Sequence, residues 1–332
     1  GYHVDLLAGI GSAADERSIG GAADLSLGGG FVAHVDANYL KSEDRRAGGY
    51  VLSPVLRAEQ LELAEEAIEE GEFEEALEAR ALANRRGRIP NSAVEQKSYG
   101  GGLAYIQGPL SLGVSVSRFE SDYGVPTRPG AEHHHEGEEE IETLGVGDEE
   151  APVTIGLRQT RYDLRGEYKV GGGFVDSIRL RVGASNYRHT EFEGEETGTV
   201  FKSDGIEGRL EVAQADRNGW RGASGVQYFR RDFDAVGAEA FVPPNKTDQI
   251  GLFTLQEFSV GRLGVEAAAR YEHTEVRSSV LGIDRKFDAF SIAGGINYEV
   301  APQAKIGLNL SRTTRAPAAE ELFSNGPHVA TQ

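Results

Sequence analysis

The chain has 332 residues, of which 44 are glycine, and it contains neither cysteine nor methionine. The formal net charge of −19 at pH 7 speaks against nucleic-acid binding, because phosphate groups require a basic surface. No run of eighteen or more apolar residues occurs, which excludes a transmembrane helix. Membrane-spanning β-strands remain possible, because they alternate lipid-facing with lumen-facing residues and are only mildly hydrophobic.

Alternation of apolar and polar residues with a period of two begins at residues 2–11 and predicts about thirteen strands. Short, mostly glycine-containing links alternate with long loops, so all turns fall at one end of the sheet and all loops at the other. Outer-membrane barrels show this arrangement, whereas β-sandwiches with Greek-key crossovers rarely do. The sequence therefore predicts an all-β, transmembrane antiparallel β-barrel. Because the chain starts within a strand at Gly1 and an odd number of antiparallel strands cannot close, we expect a segment of a longer protein.

Residues 56–85 depart from this pattern and predict a helical insert in one extracellular loop. Apolar residues recur at helical spacing on both sides of Gly71, and about ten glutamates lie between Glu59 and Glu78. The pattern is typical of a short helical hairpin with a solvated acidic surface. A second interpretation is that this surface concentrates cations near the mouth of the barrel.

The loop at about 122–153 carries the sharpest chemical signal. Imidazole and carboxylate groups are ligands of zinc, and they also suit nickel, copper and iron. Consecutive residues rarely converge on one tetrahedral ion, so we expect weak or transient capture, or an ordered site that takes further ligands from other loops. An acidic low-complexity loop or an expression tag are the alternatives. The candidate ligands are His133, His134, His135, Glu136, Glu138, Glu139 and Glu140, with His328 of the last loop as a possible addition.

Strands between residues 161 and 181 predict a polar barrel interior. Tyr162 and Leu164 share one face, and charged residues occupy the other. The residues expected to face the lumen are Arg161, Asp163, Arg165, Glu167, Lys169, Arg179 and Arg181, and a polar face also accounts for the strand histidines His3, His34, His189 and His273. No Ser/His/Asp set is recognisable, so we expect binding and transport without an enzyme activity or a catalytic cofactor.

The residues from Leu310 to Phe323 resemble the mid-barrel signature of TonB-dependent outer-membrane receptors. The positions that match this signature are Arg312, Arg315, Pro317, Glu320, Glu321 and Leu322. Three other stretches, at 122–126, 158–167 and 239–244, resemble the zinc-uptake branch of the ZnuD type.

This resemblance implies a 22-stranded barrel in the outer membrane of a Gram-negative bacterium, with its lumen filled by an N-terminal plug. It also implies energy supplied by the TonB–ExbB–ExbD complex through a TonB box. The plug, the box and the remaining strands would lie outside residues 1–332, which would form a partial barrel domain. The charged interior residues would then hydrogen-bond the plug, and zinc would be released when histidines are protonated below about pH 6.

Haem or siderophore uptake is the alternative within the same superfamily. Arg315-Ala316-Pro317 followed by His328 resembles the motif of haem receptors in outline, although Thr314 stands where an aromatic residue is usual. A passive porin or an adhesin is a second alternative. In every case the expected partners include outer-membrane lipid, and for the receptor they include the plug, the TonB complex and the metal ion, but no nucleic acid.

Overall fold

The computed structural model describes residues 1–126, 152–237 and 240–324. Within them, thirteen strands form one antiparallel sheet in which each strand pairs with its neighbours along the chain, which confirms the predicted number. The strands are β1 (Tyr2–Gly11), β2 (Glu16–Gly28), β3 (Phe31–Ser42), β4 (Arg46–Tyr50), β5 (Arg86–Arg88), β6 (Val94–Gln107), β7 (Leu110–Gly124), β8 (Val153–Lys169), β9 (Val175–Glu193), β10 (Glu196–Gln214), β11 (Trp220–Gly237), β12 (Asn245–Val260), β13 (Leu263–Ser278), β14 (Ile283–Ala301) and β15 (Ala304–Arg312). Strands β4 and β5 form a separate two-stranded sheet, and β1 and β15 are the edges of the large one.

The connections divide the large sheet into a turn end and a loop end. The turn end holds the links that follow β2, β6, β8, β10, β12 and β14, and all of them are short, as predicted. The loop end holds the helical insert and the segment between β7 and β8. The expectation that every loop-end link is long is wrong, because β9 and β10 extend until only Gly194 and Glu195 separate them. The links after β1 and β13 are short as well.

The two faces of the large sheet differ in chemistry because neighbouring residues on a strand point to opposite sides. The apolar face exposes large hydrophobic residues over adjacent strands: Leu252 is 55% exposed, and its neighbours in register Tyr271 and Phe290 are 42% and 58% exposed. A contiguous apolar surface of this kind requires an apolar environment. The opposite, polar face carries the charged residues that the next section describes.

Aromatic residues border the apolar face at both ends. On β11, Tyr228 and Trp220 are eight residues apart, or about 27 Å along the strand. With the strand tilt of a barrel, this spacing is comparable with a membrane-facing band about 25 Å tall. The loop-end border consists of Tyr99, Tyr162, Tyr228 and Tyr271, and the turn-end border of Tyr105, Tyr168, Trp220, Phe258 and Tyr298.

The predicted helical insert is confirmed as a hairpin of α1 (Pro54–Glu70) and α2 (Phe73–Asn84), separated at Gly71. The two helices pack through small side chains, among them Ala64 and Ala83, which are fully buried. Carboxylates crowd the turn, and a hydrogen bond with Glu72 together with the nearby charges raises the pKa of Glu75. The hairpin therefore carries a strong negative field at its tip.

Strands β4 and β5 join the hairpin to the sheet, and the loop after β1 anchors them. Asp15 accepts hydrogen bonds from Arg46 at 2.7 Å and from Arg88, so one carboxylate holds both strands of the small sheet. Tyr50 lies between the guanidinium groups of Arg57 and Arg86, at 3.5 and 3.8 Å from the ring centroid. The sequence did not predict this small sheet.

The main apolar cluster on the sheet lies on its polar face and is completed by α3 (Ala319–Phe323). Val276 of β13 is fully buried against Ala319 and Phe323, and Ile283 and Phe287 pack around them. The chain after β15 therefore folds back over the polar face. Among the described residues, no helix is long and apolar enough to cross a membrane.

Candidate functional site

The charged residues predicted to face the lumen all lie on the polar face of the sheet, as the pairing of β8 with β9 shows. Arg161 donates two hydrogen bonds to Asp163, at 2.7 and 2.8 Å. Glu167 lies opposite Arg179 in register and forms an ion pair with it at 3.6 Å. Lys169 lies on the same face, opposite Ser177. Contact of all these residues with a plug stays a prediction.

Three arginines from three strands form an arginine row across the polar face: Arg165 on β8, Arg181 on β9 and Arg209 on β10. Arg209 binds Glu211 at 2.7 Å, and its guanidinium lies 4.0 Å from the centre of the Phe253 ring. Within the described residues, Arg165 and Arg181 form no ion pair. Like charges directly opposite each other destabilise a sheet. The arginine row is therefore suited to an anionic group supplied from outside the sheet.

The residues that match the receptor signature mostly surround α3. Arg315 donates two hydrogen bonds to the carboxylate of Glu321, both at 2.6 Å, and Glu321 also accepts one from the backbone amide of Ala318. These donors stabilise the charged form and lower the pKa of Glu321 from 4.5 to about 2. Glu320 reaches the wall of the sheet and accepts a hydrogen bond from Arg231 at 2.5 Å.

The other signature residues have different positions. Pro317 is half-buried just before α3. Arg312 ends β15 opposite Ile292, on the apolar face, and so lies apart from the α3 contacts. Thr314, which departs from the haem motif, donates a hydrogen bond to the carbonyl of Phe290 at 2.7 Å and thereby fastens the returning chain to β14.

The histidine- and glutamate-rich segment begins and ends at neighbouring strands. Gly124 pairs with Thr154, and the backbone amide of Val125 donates to the carbonyl of Val153 at 3.0 Å. The side-chain amide of Asn91 donates to the carbonyls of both Val125 and Val153, at 2.9 and 2.6 Å. Both stems of the segment are thus clamped at the loop end.

The predicted ligands themselves lie outside the described residues. These are His133, His134, His135, Glu136, Glu138, Glu139 and Glu140, and His328 as well. The histidines on strands contact carboxylates instead: His34 binds Asp24 at 2.8 Å and Asp36 at 3.3 Å, and His3 binds Asp5 at 2.8 Å. His273 lies opposite Ile250 on the apolar face, so the prediction that a polar interior accounts for it is wrong. In the part of the chain that the structure describes, no group of three or more His, Cys, Asp or Glu residues is arranged to hold a metal ion.

Several residues of the site were not singled out in the sequence. Arg209 and Arg231 occupy polar positions of alternating strands, and this period-2 signal could have identified them. Asn91 gave no such signal, because its two acceptors are 34 and 62 residues away along the chain. Only the pairing of β7 with β8 brings those carbonyls together.

The combination of an apolar, aromatic-bordered outer face with a charged inner face is typical of a large outer-membrane barrel wall. Residues 91–332 match the family described as TonB dependent receptor-like, beta-barrel. The chain belongs to the TonB-dependent receptor family. Members of this family are receptors and transporters of the Gram-negative outer membrane, and the chain is located there.

Solved structures of the TonB-dependent receptor class share this fold. The FrpB iron transporter from Neisseria meningitidis (F3-3 variant) is 13% identical, with a TM-score of 0.68 over 95% of this chain and 46% of that one. The copper transporter OprC is 11% identical, with a TM-score of 0.66 over 96% and 47%. The siderophore receptor PiuA from Acinetobacter baumannii is 8% identical, with a TM-score of 0.65 over 98% and 51%. The chain therefore spans about half the length of these structures.

The family also orients the sheet, because barrels of this kind have short periplasmic turns and longer extracellular loops. The turn end of this TonB-dependent receptor chain is periplasmic and the loop end is extracellular. The acidic hairpin, the Asn91 clamp and α3 are accordingly at the extracellular side, and the arginine row is closer to the periplasm.

Proposed function

We propose that this chain forms part of the wall of a receptor that takes up a metal ion through the outer membrane, with zinc as the ion. The observation that carries the proposal is the clamp at Asn91, which holds both stems of the histidine- and glutamate-rich segment at the extracellular end. Imidazole and carboxylate are zinc ligands, and here they would meet the ion before it enters the barrel. The resemblance of 122–126 and 158–167 to the zinc-uptake branch supports the same ion.

Capture would proceed in two stages. The acidic hairpin raises the cation concentration near the mouth, as the raised pKa of Glu75 at its tip illustrates. The histidine and glutamate side chains then replace water molecules around the ion. Protonation of the histidines below about pH 6 releases it.

The remaining steps require partners beyond the described strands. We propose that the charged polar face, including Arg161, Asp163 and Arg179, hydrogen-bonds a plug domain that closes the lumen. The TonB–ExbB–ExbD complex would supply the energy that moves the plug. Residues 1–332 would then be a partial barrel domain of the receptor.

The zinc assignment is tested in the full-length receptor by replacing His133, His134 and His135 with alanine. We expect zinc affinity, measured by isothermal titration calorimetry, to fall at least tenfold, because the imidazole ligands are lost. The matched control is His273→Gln, since this histidine binds Asp288 at 2.8 Å on the outer face of β13. Unchanged zinc affinity in the triple variant would contradict the assignment.

A second candidate is uptake of an anionic metal complex such as haem or a metal-loaded siderophore. The arginine row of Arg165, Arg181 and Arg209 favours it, because a row of cations in the wall repels a bare metal ion and attracts an anion. Similar structures are named as an iron transporter, a copper transporter and a siderophore receptor. Haem binding would produce a Soret shift that disappears in His328→Ala, whereas a zinc receptor shows no such shift.

A further inference from the structure

Three strands of the outer face carry a regular sequence of side chains toward the extracellular end. An apolar row crosses β8, β9 and β10 at the level of the loop-end aromatic border. A polar row follows two residues further along each strand, and a row of three cations follows after another two. The rows are Tyr162–Ala184–Ile206, Thr160–Asn186–Asp204 and Arg158–Arg188–Lys202, each aligned in register.

The cation row lacks a complete set of counter-charges. Arg158 forms ion pairs with Asp122 at 2.8 Å and with Glu120 at 3.9 Å. Arg188 lies between two cations, and its side chain has one hydrogen bond, to the hydroxyl of Thr190 at 3.4 Å. Among the described residues, neither Arg188 nor Lys202 forms an ion pair, although Asp234 lies opposite Lys202 in register. Both cations are exposed. Cations opposite each other on adjacent strands destabilise a sheet unless an anion lies between them.

The height of the cation row identifies the surroundings of that anion. Arg158 precedes Tyr162 by four positions, which corresponds to about 13 Å along the strand and about 10 Å along the membrane normal after tilt. Tyr162 is 51% exposed and Ile206 42% exposed on the face that contacts lipid. The hydrocarbon region ends near this border, so the cations lie at the level of the lipid headgroups. Other cations of this face are ion-paired already, such as Lys246 with Asp232 at 2.9 Å and Lys286 with Glu275 at 2.6 Å.

We propose that Arg158, Arg188 and Lys202 form a binding site for the phosphate of a phosphorylated glycolipid in the outer leaflet. The acyl chains of that lipid would pack on Tyr162 and Ile206, and its phosphate would neutralise the cation row above them. A free phosphate ion would gain only the upper half of this surface. The site is on the outside of the barrel, so it does not depend on which substrate passes through the lumen.

The test uses the full-length receptor, purified in detergent and stripped of lipid, with bisphosphorylated lipid A as the probe. Bound lipid is measured by native mass spectrometry, and stabilisation is measured as a shift of the melting temperature. Each cation near an anionic lipid surface changes affinity about fivefold, so Arg188→Gln with Lys202→Gln should weaken binding on the order of 25-fold. The charge-preserving exchange of Arg188→Lys with Lys202→Arg should retain it.

The control is Lys246→Gln with Lys286→Gln, which removes the same amount of charge from the same face. The affinity for lipid A should change less than about twofold, because both lysines already form ion pairs with carboxylates. Lys202→Gln alone should weaken lipid A binding about fivefold. Because this change is at an exposed side chain, the single variant still tests the site if the double variant does not fold. Equal binding of dephosphorylated lipid A would overturn the proposal. So would unchanged binding by Lys202→Gln, or displacement of lipid A by millimolar inorganic phosphate.

Discussion

Replacement of Phe323 by alanine should release α3 from the polar face while leaving the sheet intact. Phe323 is 6% exposed and packs against Val276 and Ala319. Full burial of a phenylalanine side chain contributes about 1.5–3 kcal/mol, and a cavity at this position adds to the loss. A helix of five residues has little stability of its own. A loss of about 2–3 kcal/mol corresponds to a roughly 30- to 150-fold larger undocked population.

Hydrogen–deuterium exchange measures this population directly in the full-length receptor. The amides of Leu322 and Ser324, which bond the carbonyls of Ala318 and Glu320, should exchange faster by that factor. Glu321→Gln is the matched variant, because it weakens an exposed contact and should change exchange by less than about fivefold. If Phe323→Ala leaves these amides as protected as in the wild type, apolar packing does not hold α3.

Three further outcomes follow from the structure. Gly219→Ala should lower the free energy of unfolding by about 3 kcal/mol or more, because φ is +82° there and a Cβ would collide with a backbone carbonyl. Gly261→Ala, at a φ of +57° with no atom nearby, should cost about 1 kcal/mol. Heat-dependent gel mobility of the folded barrel measures the difference. Leu252→Arg should destabilise the folded barrel in lipid by about 2–4 kcal/mol, whereas Gln249→Arg on the opposite face should not; equal effects would refute the assignment of the faces. The pKa of Glu321 is lowered to about 2, so its contribution to stability is present above about pH 4.5 and is lost only as the pH falls through about 2. Amide protection of α3 should therefore be the same at pH 7 and pH 5. A loss of protection between those values would contradict the pairing of Glu321 with Arg315.

Zinc release and α3 docking should consequently respond to different pH ranges. Histidine protonation acts between about pH 7 and pH 5, where the Arg315–Glu321 pair is unchanged. If the receptor loses zinc at pH 5 while the amides of α3 stay protected, zinc release and α3 docking are independent of each other. Joint loss of both would indicate that the ligands and α3 are coupled.

Local patterns in the sequence determined the elements of this chain. Alternation of apolar and polar residues identifies the strands, because the two sides of each strand meet different solvents, and this pattern needs no knowledge of neighbouring strands. Helical spacing around Gly71 also predicted the hairpin, although Phe73 and Leu77 of that pattern are exposed and the buried residues are mostly alanines. The length of each loop-end link was less predictable, since pairing beyond the apolar band extends β9 to Glu193 and leaves a two-residue turn before β10.

The arrangement of charges depended on tertiary structure. Period-2 alternation assigns Arg165 and Arg181 to the polar face, but only the register of β8, β9 and β10 aligns them with Arg209. The same register places Arg188 between two cations on the outer face. Register depends on how the apolar patterns of two paired strands match and on the geometry of the turn between them, so a single strand does not reveal it.

The same holds for contacts between residues far apart in the chain. Arg231 and Glu320 are 89 residues apart, and they meet because the chain after β15 turns back over the polar face. Asn91 clamps two carbonyls that are adjacent only through the pairing of β7 with β8. The sequence alone therefore determines which residues are apolar, charged or metal-binding in type. Their partners are decided when the sheet forms, because each contact requires strands that are distant along the chain to lie side by side.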